Sequence, residues 1–249
     1  MRLNLLTLFP EIFEGAINAS LIKKARDKGI LDFNVVDLRQ FAKDKHRTAD
    51  NSPYGGGPGM VILADIVFSG MNAVKNEKSD KKSRSIMLTP TGKPFTQKKA
   101  KELSAYDELT FVCGHYEGID ARVDRFIDEE ISIGDYVLTG GELPALIIVD
   151  AIAREIPGVI KEQQSVQEDS FQNNLLDYPC YTRPEEWEGQ KVPAVLMSGH
   201  HKDIVEWRRK EQLKKTLQVR PELLTALAFS PTGLNENDGK LLKEIILGI

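Results

Sequence analysis

Only two cysteines, Cys113 and Cys180, occur in the 249 residues. They form neither a disulfide framework nor a zinc-ligand spacing, so a reducing cytoplasm is the expected compartment. Basic charge is not in excess. The 33 Lys and Arg stand against 37 Asp and Glu, for a formal net charge of −4. The total does not announce a nucleic-acid partner, although a local basic face can be hidden within it. Long apolar runs are missing. The longest, residues 143–153, contains Asp150 and falls well short of the roughly 20 residues that span a bilayer, so no membrane partner is expected. The opening MRLNLLTLFPEIFEG has one Arg and an apolar run broken by Pro10 and Glu11, a poor signal peptide. Internal repeats and low-complexity segments are not found. Nor is a P-loop or a GxGxxG dinucleotide fingerprint.

What is present is an ordinary globular composition, 41% hydrophobic and 28% charged, long enough for a sizeable core and for two domains. Residues 3–9 read as a buried strand, and Pro10 sits where a helix opens. Ile12, Phe13, Ala16, Ile17, Leu21 and Ile22 recur at helical spacing up to Gly29. Residues 33–38 read as a second strand. Strand–helix–strand favours an α/β fold with a parallel sheet. Further strands are predicted over 85–89, 108–113 and 129–133. Helices are predicted over 61–74, over 96–104 with Thr96 as cap, and again after Asp120. A Pro-Thr-Gly-Lys-Pro turn is predicted over 90–94.

Residues 131–158, ISIGDYVLTGGELPALIIVDAIAREIPG, join a strand, a glycine-bearing loop and an apolar helix opening at Glu142-Leu143-Pro144. Glycines let a backbone approach a ligand, and the first helical N–H groups are free to bond it. The same pattern also suits a tight turn between two core elements. Three strands run into such loops, at 89–92, 114–118 and 134–141. Ligands of open α/β sheets bind beyond the carboxyl ends of strands, so these loops can line one pocket.

Residues 39–60 carry Lys43, Lys45, His46, Arg47, Asp50, Gly55, Gly56, Gly57 and Gly59. They suit either a substrate-contacting loop or a solvated one. Residues 159–174 are polar and aperiodic, the expected linker. Beyond them lie Tyr178, Tyr181, Arg183, Pro184 and Trp187. A helix is predicted over 200–216, with Ile204, Val205, Trp207 and Leu213 as its apolar side. It bears Lys202, Arg208, Arg209, Lys210, Lys214 and Lys215 against Asp203, Glu206 and Glu211. Its basic side suits a phosphate backbone or an ordinary solvated face. Two more helices are predicted, from Pro221 and over 241–247.

Four motifs, PYGGGPGM at 53–60, GHYEGID at 114–120, IGDYVLTGGELP at 133–144 and EDSF at 168–171, resemble the bacterial tRNA (guanine-N1)-methyltransferases. The resemblance covers the whole chain in order. It implies a SPOUT-class α/β fold: a parallel-sheet domain with a deep trefoil knot over residues 1–160, a flexible linker over 161–174, and a small, mostly helical tRNA-binding domain over 175–249. The pattern alone does not lead to a knot, since topology rules argue against threaded chains.

The resemblance also implies S-adenosylmethionine-dependent methylation of N1 of guanosine at position 37 of tRNA. It implies a homodimer with the active site at the subunit interface. Matched by position, Gly114, Ile133, Gly134, Asp135, Tyr136, Val137 and Leu138 bind the cofactor. Thr89, Pro90, Gly140, Gly141 and Pro144 lie nearby. Asp169 is the implied base and Arg154 its cationic partner. Without the resemblance, Asp169 suits a helix cap and Arg154 a helix-dipole partner. Glu117, His46, Asp50, Arg208 and Arg209 are the expected tRNA contacts, and Glu117 is also the candidate for a magnesium ion. His115 stands where some members have Arg. The competing readings are a ribose 2′-O-methyltransferase of the same fold and a non-catalytic RNA-binding protein.

Overall fold

The computed structural model describes residues 1–75, 80–162, 169–230 and 233–248. The chain divides into two compact units, Met1–Lys161 and Glu162–Ile249. Residues 163–168 of the expected polar linker, with Glu168, lie outside the described residues, as do residues 76–79.

The first unit is built on five strands: β1 (Arg2–Thr7), β2 (Asp32–Asp37), β5 (Ser83–Pro94), β6 (Glu108–Cys113) and β7 (Glu129–Ser132). They pair in the order β2-β1-β6-β5-β7, and each pairing is parallel. β1 and β6 are buried along almost their whole length, as central strands covered on both faces require. One face packs Leu3, Leu5, Phe111 and Ile131 against Ile148 and Ile152 of α5 (Glu142–Glu155). The other packs Leu6, Val36 and Val112 against Ile66 and Val67 of α3 (Ala64–Val74).

Several elements differ from expectation. The helix expected up to Gly29 is two: α1 (Glu11–Ile17) and α2 (Ser20–Asp27). Asn18 Nδ2 donates to the Glu14 carbonyl at 2.7 Å, and Ser20 turns the chain at φ 50°. Residues 61–62 form a short strand, β4 (Val61–Ile62), paired with β3 (Asp50–Asn51), so the following helix starts only at Ala64. The helix expected after Asp120 is a 3₁₀ turn, Ala121–Phe126, capped by the Asp120 carboxylate on the Arg122 N–H at 3.0 Å.

The largest difference is in β5. The Pro-Thr-Gly segment does not turn back. It continues the strand, which pairs with β7 at Ile86–Leu88 and again, after a register shift, at Lys93 and Pro94. Gly92 makes this possible, because a Cβ there would lie 2.4 Å from the Ile131 backbone nitrogen. Thr96 caps α4 (Gln97–Leu103) through the Lys99 N–H. Val159, expected in the linker, is buried in the core beside α5.

The second unit holds a hairpin, β8 (Glu186–Trp187) with β9 (Gln190–Lys191), and four described helices: α6 (Ala194–Met197), α7 (His201–Val219), α8 (Pro221–Ala228) and α9 (Glu236–Leu247). Leu175, Leu213, Leu224, Leu227 and Leu241 form its core. Of the apolar side expected on α7, Leu213 is buried, whereas Val205 is exposed. The closing helix begins well before residue 241, because Asn235 and Asp238 form a capping box at its start.

Candidate functional site

The three expected loops meet. Thr89, Pro90 and Thr91 from β5, the loop 114–119 after β6, and the loop after β7 line one cleft of about 440 Å³. From the third loop come Ile133, Gly134, Tyr136, Val137 and Leu138, followed by Gly140, Gly141 and Pro144. Asp135 is not among the lining residues. Its neighbours Tyr136 and Val137 are exposed.

The loops are tied by main chain. The Gly141 N–H donates to the Gly114 carbonyl at 2.8 Å, and His115 bridges Gly140. Gly141 caps α5 without a side-chain hydrogen bond. Glu142 opens the helix and is only 2% exposed. Thr7 Oγ1 donates to its Oε1 at 2.7 Å, and His115 Nδ1 lies 3.6 Å from Oε2. The helix dipole favours a carboxylate at this end. Below it, burial and then the Glu142 charge push the Cys113 thiol well above its ordinary range. Cys113 therefore stays protonated and is no nucleophile.

The charge of the cleft is one-sided. Glu117, Asp124 and Glu130 line it, and among the described lining residues none is Lys or Arg. Glu130 Oε2 accepts from Thr91 Oγ1 at 2.9 Å, and Thr91 Oγ1 lies 3.0 Å from Thr89 Oγ1. Such a wall suits a ligand carrying positive charge and repels phosphates. The sequence reading missed Asp124, Glu130 and Glu142. The available signals were a charged residue inside the short strand β7 and a carboxylate opening an apolar helix.

The glycine-rich loop is laced to the same wall. The Glu117 N–H donates to the Met60 carbonyl, the Ile62 N–H to the Gly118 carbonyl, and the Asp120 N–H to the Ile62 carbonyl, each at 3.0 Å. Asp50 pairs with Ile62 across β3 and β4, which brings it to the Glu117 side of the first unit. His46 is exposed, and its N–H donates to Asp44 Oδ2 at 3.0 Å. The Arg122 guanidinium and N–H hold the Asp120 carboxyl down to about 2. Among the described residues no group of three or more His, Cys, Asp or Glu converges that could hold a metal ion.

Arg154 lies in the last turn of α5 and is not a lining residue of the cleft. Asp169 belongs to the second unit, where its carbonyl accepts from the Gln172 N–H at 3.3 Å. On α7, Arg208 stacks over Tyr178 at 4.8 Å, whereas Arg209 makes a bidentate pair with Asp238 at 2.7 and 2.8 Å. Among the described residues, no helix is long and apolar enough to cross a membrane.

The family described as tRNA (Guanine-1)-methyltransferase TrmD matches residues 1–226. The chain belongs to this family. Relatives named tRNA (guanine-N(1)-)-methyltransferase match at nearly full length. That of Pelotomaculum thermopropionicum is 46% identical over 250 residues, covering 100% of this chain and 98% of the relative. That of Dictyoglomus turgidum is 49% identical over 245 residues, covering 98% and 96%. That of Mycoplasmopsis synoviae is 54% identical over 225 residues, covering 90% and 97%. Within the span of the TrmD match lie both the cleft and α7.

Proposed function

We propose that this protein methylates N1 of guanosine at position 37 of tRNA, just 3′ of the anticodon, with S-adenosylmethionine as donor. The observation that carries the donor class is the cleft itself, with loop backbone, glycine and carboxylates but, among the described residues, no lining Lys or Arg. It fits a nucleoside bearing a sulfonium and disfavours phosphate-bearing cofactors. When bound, S-adenosylmethionine supplies a methyl group already activated for in-line displacement.

The remaining difficulty is the acceptor. N1 of guanine is protonated at neutral pH, and its loss of a proton sends negative charge towards O6. We assign Asp169 as the base that takes this proton and Arg154 as the donor to O6, since a guanidinium keeps its charge throughout. Asp50, His46 and Glu117 are assigned to the tRNA, with Glu117 positioning the acceptor and no step passing through magnesium. Arg208 is the preferred phosphate contact on α7, because Arg209 is already committed to Asp238.

The active form is read as a cytoplasmic homodimer whose partner subunit completes the site. Leu143 and Ile147 support this reading. They are exposed, one helical turn apart on α5, and Val137 and Leu138 of the preceding loop are exposed as well. We read the first unit as a SPOUT fold with a trefoil knot. The double pairing of β5 with β7 and the close passage of Gly92 over Ile131 are its support.

The test is transfer of labelled methyl from S-adenosylmethionine to unmodified tRNA with G37, followed by nucleoside analysis. The expected product is 1-methylguanosine at that position, lost when the base is changed. A ribose-methylated product would move the acceptor to a 2′-oxygen. Binding of cofactor and tRNA without transfer would reduce the protein to an RNA-binding role.

A further inference from the structure

We infer that His115 is a positioning residue of the cofactor cleft: its Nδ1–H closes onto the buried Glu142 carboxylate and holds the 114–118 loop against the first turn of α5. The inference rests on reading the cleft as the cofactor site.

Glu142 is half satisfied. Its Oε1 accepts from Thr7 Oγ1 at 2.7 Å, and Thr7 Oγ1 in turn accepts from the Phe9 N–H at 2.8 Å. Its Oε2 faces His115 Nδ1 at 3.6 Å, just beyond hydrogen-bond reach. His115 Nδ1 is buried and has no hydrogen-bond partner. A buried, unpartnered ring nitrogen within an ångström of hydrogen-bond reach of a carboxylate oxygen is driven to pair with it.

The ring has little freedom to turn elsewhere. Phe9 packs on it with centroids 4.4 Å apart, and Tyr116 packs edge-on at 4.8 Å. The meeting point occupies the space a side chain at position 140 would fill. A Cβ on Gly140 would lie 2.4 Å from Nδ1 and 2.3 Å from Glu142 Oε2. Gly114, His115, Gly140 and Gly141 all line the cleft. A ligand that rests better on these backbones when the pair is closed shifts the loops towards that arrangement, and the closed pair then tightens the ligand by the same factor.

Two substitutions separate this role from simple packing. In His115→Asn the amide nitrogen takes the place of Nδ1, whereas in His115→Gln it takes that of Nε2. Titration calorimetry with S-adenosylmethionine should show the Asn variant close to the unaltered protein. The Gln variant should bind about tenfold more weakly. In cofactor-free protein, the Gly141 amide should exchange faster in the Gln variant than in the Asn variant. Equal affinity in all three proteins, or equal loss in both variants, would overturn the inference while leaving the cofactor reading intact. Failure of the unaltered protein to bind S-adenosylmethionine would overturn both.

Discussion

The cleft of the first unit and the basic helix of the second invert what their sequences advertise. The cleft comes from loops that read as glycine, proline and small polar residues, yet it has a strong electrostatic character. Its wall carries Glu117, Asp124 and Glu130 with no lining cation among the described residues. Helix α7 reads as basic, yet much of its charge is engaged within its own unit. Arg209 pairs with Asp238, Lys210 with Glu244 at 2.6 Å, and Lys214 with Glu211 at 4.0 Å. A run of charge in sequence measures how many cations a helix has. The structure decides how many remain for a partner.

The division of labour between the units breaks most severely at Asp169. Asp169→Asn should cut turnover by about two to four orders of magnitude, the usual worth of a general base. S-adenosylmethionine affinity, which we assign to the cleft, should stay within a factor of about two. Single-turnover rates alongside cofactor titration measure both, and near-normal turnover would remove Asp169 from the role.

Next in size is the proposed dimer. Introducing Leu143→Glu with Ile147→Glu places two charges on the exposed apolar stripe of α5. Sedimentation should show the dimer weakened by about two orders of magnitude, as for loss of an interface anchor. An unchanged dimer would put the interface elsewhere.

A smaller effect tests the commitment of Arg209. Arg209→Ala strands Asp238, which is 1% exposed, and should lower the stability of the second unit by about 2–4 kcal/mol in denaturant unfolding. Burial pushes the Asp238 carboxyl up, but the Arg209 guanidinium and the Asn235 N–H together hold it below its ordinary range. The folded value is thus the lower one. This contribution is complete above the unfolded carboxylate range and is lost as pH falls through the folded value. The acid limb of unfolding should accordingly flatten in Arg209→Ala.

The smallest effect is expected at Arg208. Arg208→Glu should weaken tRNA binding several-fold and lower the slope of log affinity against log salt by about 1. If Arg209→Ala instead changed the slope with no loss of stability, the assignment of the two arginines would be reversed.

Elements governed by local chemistry were legible in the sequence. Glu108–Cys113 reads as a strand because its run is apolar and bounded by polar residues. Thr96 reads as a cap, and Pro10 marks a helix start. What was not legible depended on distant neighbours. Residues 90–94 carry every local mark of a turn, but the chain keeps its direction through them and pairs with β7 again after a register shift. The role of Arg209 hinges on Asp238, 29 residues away. That of Glu142 hinges on Thr7, 135 residues away. The meeting of three loops in one cleft followed from strand ends alone, whereas its acidic wall required knowing that the loop after β6, the 3₁₀ turn and β7 bring Glu117, Asp124 and Glu130 to the same cleft.

The register of β1 carries a consequence for synthesis. Arg2 to Leu6 align with Glu108 to Val112, so one edge of the first strand made stays unpaired until the sixth has left the ribosome. At translation speeds of about 5–20 residues per second, that wait lasts roughly 5–20 s. Asn4 sits mid-strand, and its side chain later bonds Glu108 at 2.7 Å and Thr110 at 3.2 Å. A polar group in that place makes the waiting edge a poorer template for pairing with another chain. The residue that rewards the correct partner late in folding thus also guards the nascent chain early.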